Sequence, residues 1–502
     1  MKLKRFATAP TLVLIAALAA CAASFDEQTA FAVPAPNAWP PAGQGAPAAP
    51  ASDFTPPHFE PPSASHCQHA PSTREVPGRS ARENDTGWHL HKDSADKMRA
   101  ASEGSVRNLE KPAAKAAALA ALAAPAAPAA LAAPRAESER RALVAGDRVA
   151  PEPVDAVITA GVVDDNADFG AYLGYRQRNT QRPVRERDIS ERYLLEVLDA
   201  NGRPVHDAEV AVQRAGVAEP VMWARTDTAG RVWLHPRVFI APAFAAEPVL
   251  GVAVRKRGAQ ARTTLVRGQS NVLQLRLGAG SSVQRPRLDL VFMIDATGSM
   301  GDEIDKLKRS MRAMADQIAQ LPGQPDICYG LVAYRDRGDV FLTRAHDFTN
   351  DLGAFQNLLA KVQAQGGGDT PEALNEALHE VVHGLDWRAD AARLVVMVAD
   401  APPHLDYGGP QYDTDMQAAL AKGIKLFAVG ASGLDPVGQY VFRQLAQYTA
   451  GRFVFLTYKN AADPASGPGT QTVHDVKNYS VQTLDRLVVW LVSEEMARLG
   501  RS

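Results

Sequence analysis

Asp295, Thr297 and Ser299 stand at alternate positions where an apolar run ends, in Leu288-Asp-Leu-Val-Phe-Met-Ile-Asp-Ala-Thr-Gly-Ser-Met300. One carboxylate and two hydroxyls facing a common point form a cluster of hard oxygen donors. Such a cluster suits a divalent cation such as Mg²⁺, with Mn²⁺ or Ca²⁺ as alternatives. It grips a ligand through the metal and need not do chemistry on it. Two other loops can add donors. Gly366-Gly-Gly-Asp-Thr-Pro-Glu372 has glycines that permit close backbone approach, and either Asp369 or Thr370 is its candidate ligand. Leu394-Val-Val-Met-Val-Ala399 is a second apolar run and ends at Asp400. Taken singly, each loop is also an ordinary helix N-cap; three in order define a candidate site. Mg²⁺ prefers octahedral oxygen coordination and keeps waters, one of which an acidic side chain from a partner could replace.

These loops need a sheet to assemble them. From about Arg287, buried-strand patterns alternate with amphipathic helices. Leu288 to Ile294 is near-continuously apolar, as inside a parallel sheet, and Ile304, Leu307, Met311, Met314, Ile318 and Leu321 recur at helical spacing. Ile327 to Tyr334 and Val340 to Phe348 read as an antiparallel pair, Leu352 to Val362 and Pro371 to Leu385 as helices, and Leu484, Leu487, Val488, Leu491 and Val492 as the face of a last helix. The pattern predicts an α/β fold, a doubly wound, mostly parallel, Rossmann-like sheet over 286–499, with ligands at the carboxyl ends of its strands.

Ahead of it, short alternating runs such as Tyr193 to Leu198, Glu209 to Gln213 and Val249 to Val254, punctuated by Asn201-Gly202, predict a small β-sandwich. The sandwich domain takes residues 153–285, with Gly161 to Phe169 as an acidic lead-in read as a surface turn. Residues 21–152, rich in Ala, Pro and Ser, bury too little apolar surface to fold and read as a disordered tether. His66, Cys67, His69, His89 and His91 within it match no zinc spacing. Cys328 lies in a strand pattern and reads as a buried free thiol in preference to a disulfide with Cys67. Residues 1–20 read as an export signal, with Lys2, Lys4 and Arg5 before an apolar stretch too short to span a membrane. The formal charge of −2 over 502 residues gives no case for nucleic acid.

Leu18-Ala-Ala-Cys21 resembles the lipobox of bacterial lipoproteins, which implies cleavage before Cys21, lipidation of its thiol, and a lipid-anchored place in the cell envelope at the outer membrane or periplasmic face. Asp199-Ala-Asn-Gly-Arg-Pro-Val205, with Thr226-Asp227 and Gly230, resembles carboxypeptidase-regulatory or transthyretin-like modules and implies a spacer or binding domain. The three oxygen-bearing loops resemble the von Willebrand factor A (vWA) domain and its metal-ion-dependent adhesion site. In that family the first loop is usually Asp-x-Ser-x-Ser; here Thr297 keeps the hydroxyl. Asp400 answers to the third-loop aspartate, within Val398-Ala-Asp-Ala-Pro-Pro-His404, and His404, Asp406 and Tyr407 flank it.

The resemblance implies a non-catalytic module that binds a protein partner through metal and an acidic side chain. An envelope-assembly scaffold with a structural metal site is the alternative, ahead of a metal-dependent phosphoryl-transfer enzyme, for which no phosphate-binding lysine motif and no Asp-x-Asp nucleophile pair at a strand end is read; nor is a Ser-His-Asp or zinc-protease signature. Arg337-Gly338-Asp339 spells an integrin-recognition tripeptide, but Gly and Asp are also what its predicted turn requires.

Overall fold

The computed structural model describes residues 64, 66–79, 157–215, 217, 219–239, 247–269, 271–278, 285–368 and 370–499. Cys21, the export signal, most of the tether and Asp369 lie outside the described residues.

The strands are β1 (Thr73–Val76), β2 (Thr159–Val163), β3 (Tyr193–Leu198), β4 (Glu209–Arg214), β5 (Pro220–Arg225), β6 (Arg231–Leu234), β7 (Val249–Lys256), β8 (Ala259–Val266), β9 (Val272–Arg276), β10 (Arg287–Asp295), β11 (Asp326–Tyr334), β12 (Thr343–Thr349), β13 (Ala391–Ala399), β14 (Ile424–Gly430), β15 (Arg452–Asn460), β16 (Asp463–Pro468) and β17 (Val481–Thr483). The helices are α1 (Phe169–Arg178), the single turn α2 (Pro236–Phe239), α3 (Ile304–Ala319), α4 (Leu352–Ala360), α5 (Leu374–His379), α6 (Tyr412–Lys422), α7 (Pro436–Tyr448) and α8 (Leu484–Leu499).

The main sheet runs β1-β12-β11-β10-β13-β14-β15-β2-β17. Its centre is parallel: β10 lies between β11 and β13, and β14 and β15 continue outward. Both flanks are antiparallel, β12 and β1 on one side and β2 and β17 on the other. The sheet expected to be mostly parallel is therefore mixed, with a parallel core. Its helices follow the apolar spacing: α3 buries Ile304, Leu307, Met311, Met314 and Ile318, and α8 buries Leu487, Val488, Leu491 and Val492, in one shared cluster with Leu290, Phe292 and Ile294 of β10.

Two smaller sheets, β6-β3-β9 and β5-β4-β7-β8, occupy the expected sandwich region. Leu195, Val197, Val210, Val252 and Leu275 pack between them, and that cluster continues into Met416, Leu420 and Tyr448 of α6 and α7. A buried charge cluster joins the two parts. Asp207 accepts from Arg225 of the sandwich and Arg393 of β13 at 2.9 Å each, and from the Asp390 backbone N–H at 3.0 Å. Burial opposes its ionisation, but Arg393, Arg225 and Lys256 hold its carboxyl well below the usual range. At a second contact, buried Lys425 donates to Glu495 at 2.8 Å and to Asp227 of the sandwich at 3.3 Å.

Three expectations are corrected. The acidic lead-in is not part of the sandwich domain: β2 pairs with β15, and Asp165 is buried against Arg443 at 2.6–2.9 Å, so residues 157–178 belong to the α/β sheet. Part of the supposed tether is ordered, because β1 adds to the β12 edge in the register Thr73↔His346. Cys328 is not a free thiol; it forms a disulfide with Cys67 across 261 residues, with the Cα atoms 6.1 Å apart. The four exposed residues of β1, Thr-Arg-Glu-Val, carry no apolar alternation, so nothing local marked them as the strand that carries Cys67 to the sheet.

Closing so long a loop removes chain entropy from the unfolded state, typically worth about 2–4 kcal/mol. Cys67→Ser should lower the unfolding free energy by about that amount in oxidising buffer and by little when both proteins are measured in dithiothreitol. Coincident denaturation midpoints without reductant would contradict the bridge.

Candidate metal centre

β10 is buried along nearly its whole length and ends at Asp295. The chain then turns back on itself. Asp295 Oδ1 accepts from the Thr297 backbone N–H at 3.0 Å and from its hydroxyl at 2.6 Å, and the Thr297 and Ser299 hydroxyls lie 3.1 Å apart. Asp295 and Thr297 are fully buried, while Ser299 is exposed at the mouth of the site.

The glycine-rich loop is laced to this one by backbone bonds. Gly298 N–H donates to the Gly366 carbonyl at 2.9 Å, and Gln365 N–H to the Ala296 carbonyl at 3.0 Å. Two glycines are required for the approach. Gly367 has φ +68°, and a Cβ there would lie 2.9 Å from Glu372 Oε1 and 3.2 Å from Thr297 Cβ; a Cβ on Gly298 would lie 2.8 Å from the Gly366 carbonyl oxygen. Thr370 is exposed on this loop and is followed by a cis bond to Pro371. The third loop follows β13 and carries Asp400, which is buried at the end of that strand, with its carboxyl pushed up chiefly by burial. Backbone bonds from Glu372 to the Pro402 carbonyl (3.0 Å) and from His404 to the Glu372 carbonyl (3.1 Å) join loops two and three.

Asp295, Thr297, Ser299 and Asp400 thus converge, with Thr370 on the adjoining loop. Sequence reasoning missed Glu372. It closes the quoted loop motif, yet its side chain is 2% exposed and sits among the other carboxylates. Burial, then the charge of Asp400, pushes Asp295 up to about 7. Burial, then Asp295, Asp336, Asp400 and Asp339, pushes Glu372 up to about 9. Asp295 Oδ2, Asp400 Oδ1 and Glu372 Oε2 are buried without a hydrogen-bond partner. Buried carboxyl oxygens left unpaired are costly whether charged or protonated, and the donor set fits a hard divalent cation. Asp295 Oδ2 and Asp400 Oδ1, with the Thr297 and Ser299 hydroxyls, are the groups that could hold one.

Around the mouth, His404 stacks on Tyr407 with ring centroids 3.8 Å apart, and the Tyr407 hydroxyl donates to Asp336 at 2.7–2.9 Å. Arg337 lies over the Tyr407 ring at 3.8 Å. Asp406 is engaged by His404 Nδ1 at 3.1 Å. In the Arg337-Gly338-Asp339 tripeptide, Asp339 turns inward: its carboxylate accepts from the Gly367 N–H at 2.8 Å and from the Asp336 N–H at 3.2 Å. That aspartate supports the second loop.

The reading that no zinc-protease signature is present is also corrected. His379-Glu380-Val381-Val382-His383 has the spacing H-E-x-x-H, a zinc-binding signal visible in the sequence. The predicted helix over 371–385 splits there into α5 and a π-helical turn, Glu380–Gly384.

Residues 289–463 match the von Willebrand factor type A domain and constitute such a domain in this chain. The chain is 29% identical over 119 residues to the alpha-protein kinase vwkA of Dictyostelium discoideum, covering 23% of this chain and 19% of that protein. It is 38% identical over 95 residues to von Willebrand factor A domain-containing protein 7 of Homo sapiens, covering 18% of this chain and 10% of that protein. It is 22% identical over 246 residues to integrin beta-6 of Rattus norvegicus, covering 42% and 30%. The chain therefore spans less than a third of the length of each of these relatives.

The raised carboxyls give a signed expectation. Asp295 and Glu372 bind protons more tightly folded than unfolded, from 3.8 to about 7 and from 4.5 to about 9. The folded state therefore holds more protons across that window, and metal-free protein loses stability as pH rises through it. Melting in EDTA should fall from pH 5 to pH 9, and millimolar Mg²⁺ should restore it by mass action. A pH-independent melting temperature, or equal Mg²⁺ shifts in wild type and Asp295→Ala, would refute this.

Proposed function

We propose that this chain is an envelope-anchored protein that captures a protein partner through a divalent cation, Mg²⁺ or a close substitute, and catalyses no reaction. The observation that carries the reading is the pair of buried, partnerless oxygens on Asp295 and Asp400, beside two hydroxyls at the carboxyl edge of the sheet. A cation there would satisfy both carboxylates and leave positions facing solvent on the side where Ser299 is exposed. Von Willebrand factor A domains commonly mediate protein–protein adhesion, and an integrin beta chain is among the relatives. An acidic side chain of the partner completes the cation's shell, with Thr370 or Asp369 as the second-loop ligand. The ring of His404, Tyr407 and Arg337 at the mouth contributes to partner choice.

In this reading the sandwich, related to carboxypeptidase-regulatory modules, is a spacer set rigidly against the binding domain. Its buried ion pairs to Arg393 and Lys425 support that role. A lipid on Cys21 fixes the chain to the membrane.

Bait protein exposed to an envelope extract should retain a partner in Mg²⁺ and release it in EDTA, and Asp295→Ala should retain none under either condition. Capture that ignores both EDTA and the substitution favours a scaffold whose metal site is structural. Separately, Cys21→Ser should shift the protein from the membrane to the soluble fraction. Unchanged membrane fractionation contradicts lipid anchoring.

A further inference from the structure

A second metal-ligand constellation lies away from the adhesion loops, where α5 runs into the π-helical turn and faces α6. His379 Nδ1 lies 3.1 and 3.2 Å from the two carboxylate oxygens of Asp415, and His383 Nε2 lies 3.0 Å from Asp415 Oδ1. The imidazole rings are 4.5 Å apart, and one ligand atom from each of the three residues falls within 4.8 Å of the others. Asp415 is buried, its side chain 4% exposed, whereas those of His379 and His383 are 49% and 28% exposed. The cluster is anchored from below and open to solvent above.

We propose that His379, His383 and Asp415 bind a late first-row transition dication of the Zn²⁺ class. Four observations carry this. Two histidines four residues apart with a carboxylate from another element are a known zinc ligand set. With Zn–N near 2.0–2.1 Å, tetrahedral ligands sit about 3.3 Å apart, close to the 3.0–3.2 Å at which both imidazoles already meet Asp415. A cation drawn between the three groups therefore requires small side-chain shifts and no backbone change.

The supporting frame is also fixed. Lys422 at the end of α6 donates to the Val382 carbonyl at 2.8 Å, which holds the π turn against the helix that carries Asp415. Finally, π turns of this kind recur at functional sites because they re-aim side chains within a helix. The donors are two imidazoles and one carboxylate, softer than the oxygen-only set at Asp295, so the two sites differ in metal preference.

Glu380, which a metallopeptidase would use as general base, is engaged elsewhere: Arg74 of β1 donates to it at 2.7 and 3.0 Å. We assign it no base role, and the proposal includes no hydrolysis. The metal's effect is to cross-link α5 and α6. Those helices follow the second and third adhesion loops in the chain, so the cross-link stiffens the frame on which these loops are mounted. The site does not depend on the adhesion reading.

The test is titration of the full chain with Zn²⁺ after EDTA treatment and removal of the chelator, with Mg²⁺ in excess to occupy the oxygen site. Calorimetry should show a single tight Zn²⁺ equivalent in wild type and in Asp295→Ala. Co²⁺ in place of Zn²⁺ should give the visible absorption of a four-coordinate centre. Both signals should be lost in the double variant His379→Asn, His383→Asn. The single variant His379→Asn alters a half-exposed side chain, so it retains the fold and should weaken Zn²⁺ binding by itself. Absence of Zn²⁺ uptake by wild type would overturn the proposal and leave a His–Asp–His hydrogen-bonded clamp. Uptake undiminished in both variants would overturn it equally.

Discussion

Mutual repulsion among Asp295, Asp400 and Glu372 is the constraint that the rest of the α/β domain is arranged around. The chain knows how to neutralise a buried acid. Asp289 is paired with Arg388 at 2.6 Å, Asp165 with Arg443, Glu495 with Lys425, and Asp207 with two arginines. At the carboxyl edge of β10 and β13 no such partner is supplied among the described residues; each carboxylate's strongest charged neighbours are other carboxylates. Keeping them together in a folded protein takes rigid support from beneath. The buried lengths of β10 and β13 give it, as do the backbone bonds from Gly298 to Gly366 and from Gln365 to Ala296. A divalent cation at this edge, as proposed above, would relieve the repulsion directly.

The sandwich is coupled to this arrangement by more than chain connectivity. Its sequence lies between β2 and β10, two strands of the same main sheet, so both of its ends are fixed by that sheet. The Asp207 cluster meets β13 near its start, at Arg393, while Asp400 stands just past its end. The orientation of the carboxylate-bearing edge relative to the sandwich is thus set by buried ion pairs and a continuous apolar core.

Much of the fold and site could be read from residue order. β10 and β13 declare themselves as apolar runs ending in aspartate, and α3 and α8 by their spacing, because burial on one or both faces imposes a period on the sequence. What escaped had no such period. β1 is four exposed residues stabilised by an edge and a disulfide, and β2 is five residues whose acidic sequel resembles a surface turn. Both take their structure from partners hundreds of positions away, and so does the pairing of Cys67 with Cys328. Glu372 was hidden differently. A glutamate ahead of a helix reads as a solvated first-turn residue, and only the crossing of loops two and three buries it. His379 and His383 were legible from spacing alone, but their third ligand, Asp415, comes from a different helix that no local pattern links to them.

The Cys67–Cys328 bridge makes the chain a closed ring over more than half its length, with the sandwich, β2 and the loop of Asp295 all inside it. A protease that cuts anywhere between these cysteines therefore releases nothing: the pieces stay covalently joined until the bridge is reduced. It also reroutes mechanical load. Cys328 pairs in register with Asp289 of β10, so tension arriving from residues ahead of Cys67 bypasses the intervening chain. It enters the sheet through β11, one strand from the strand that ends at Asp295.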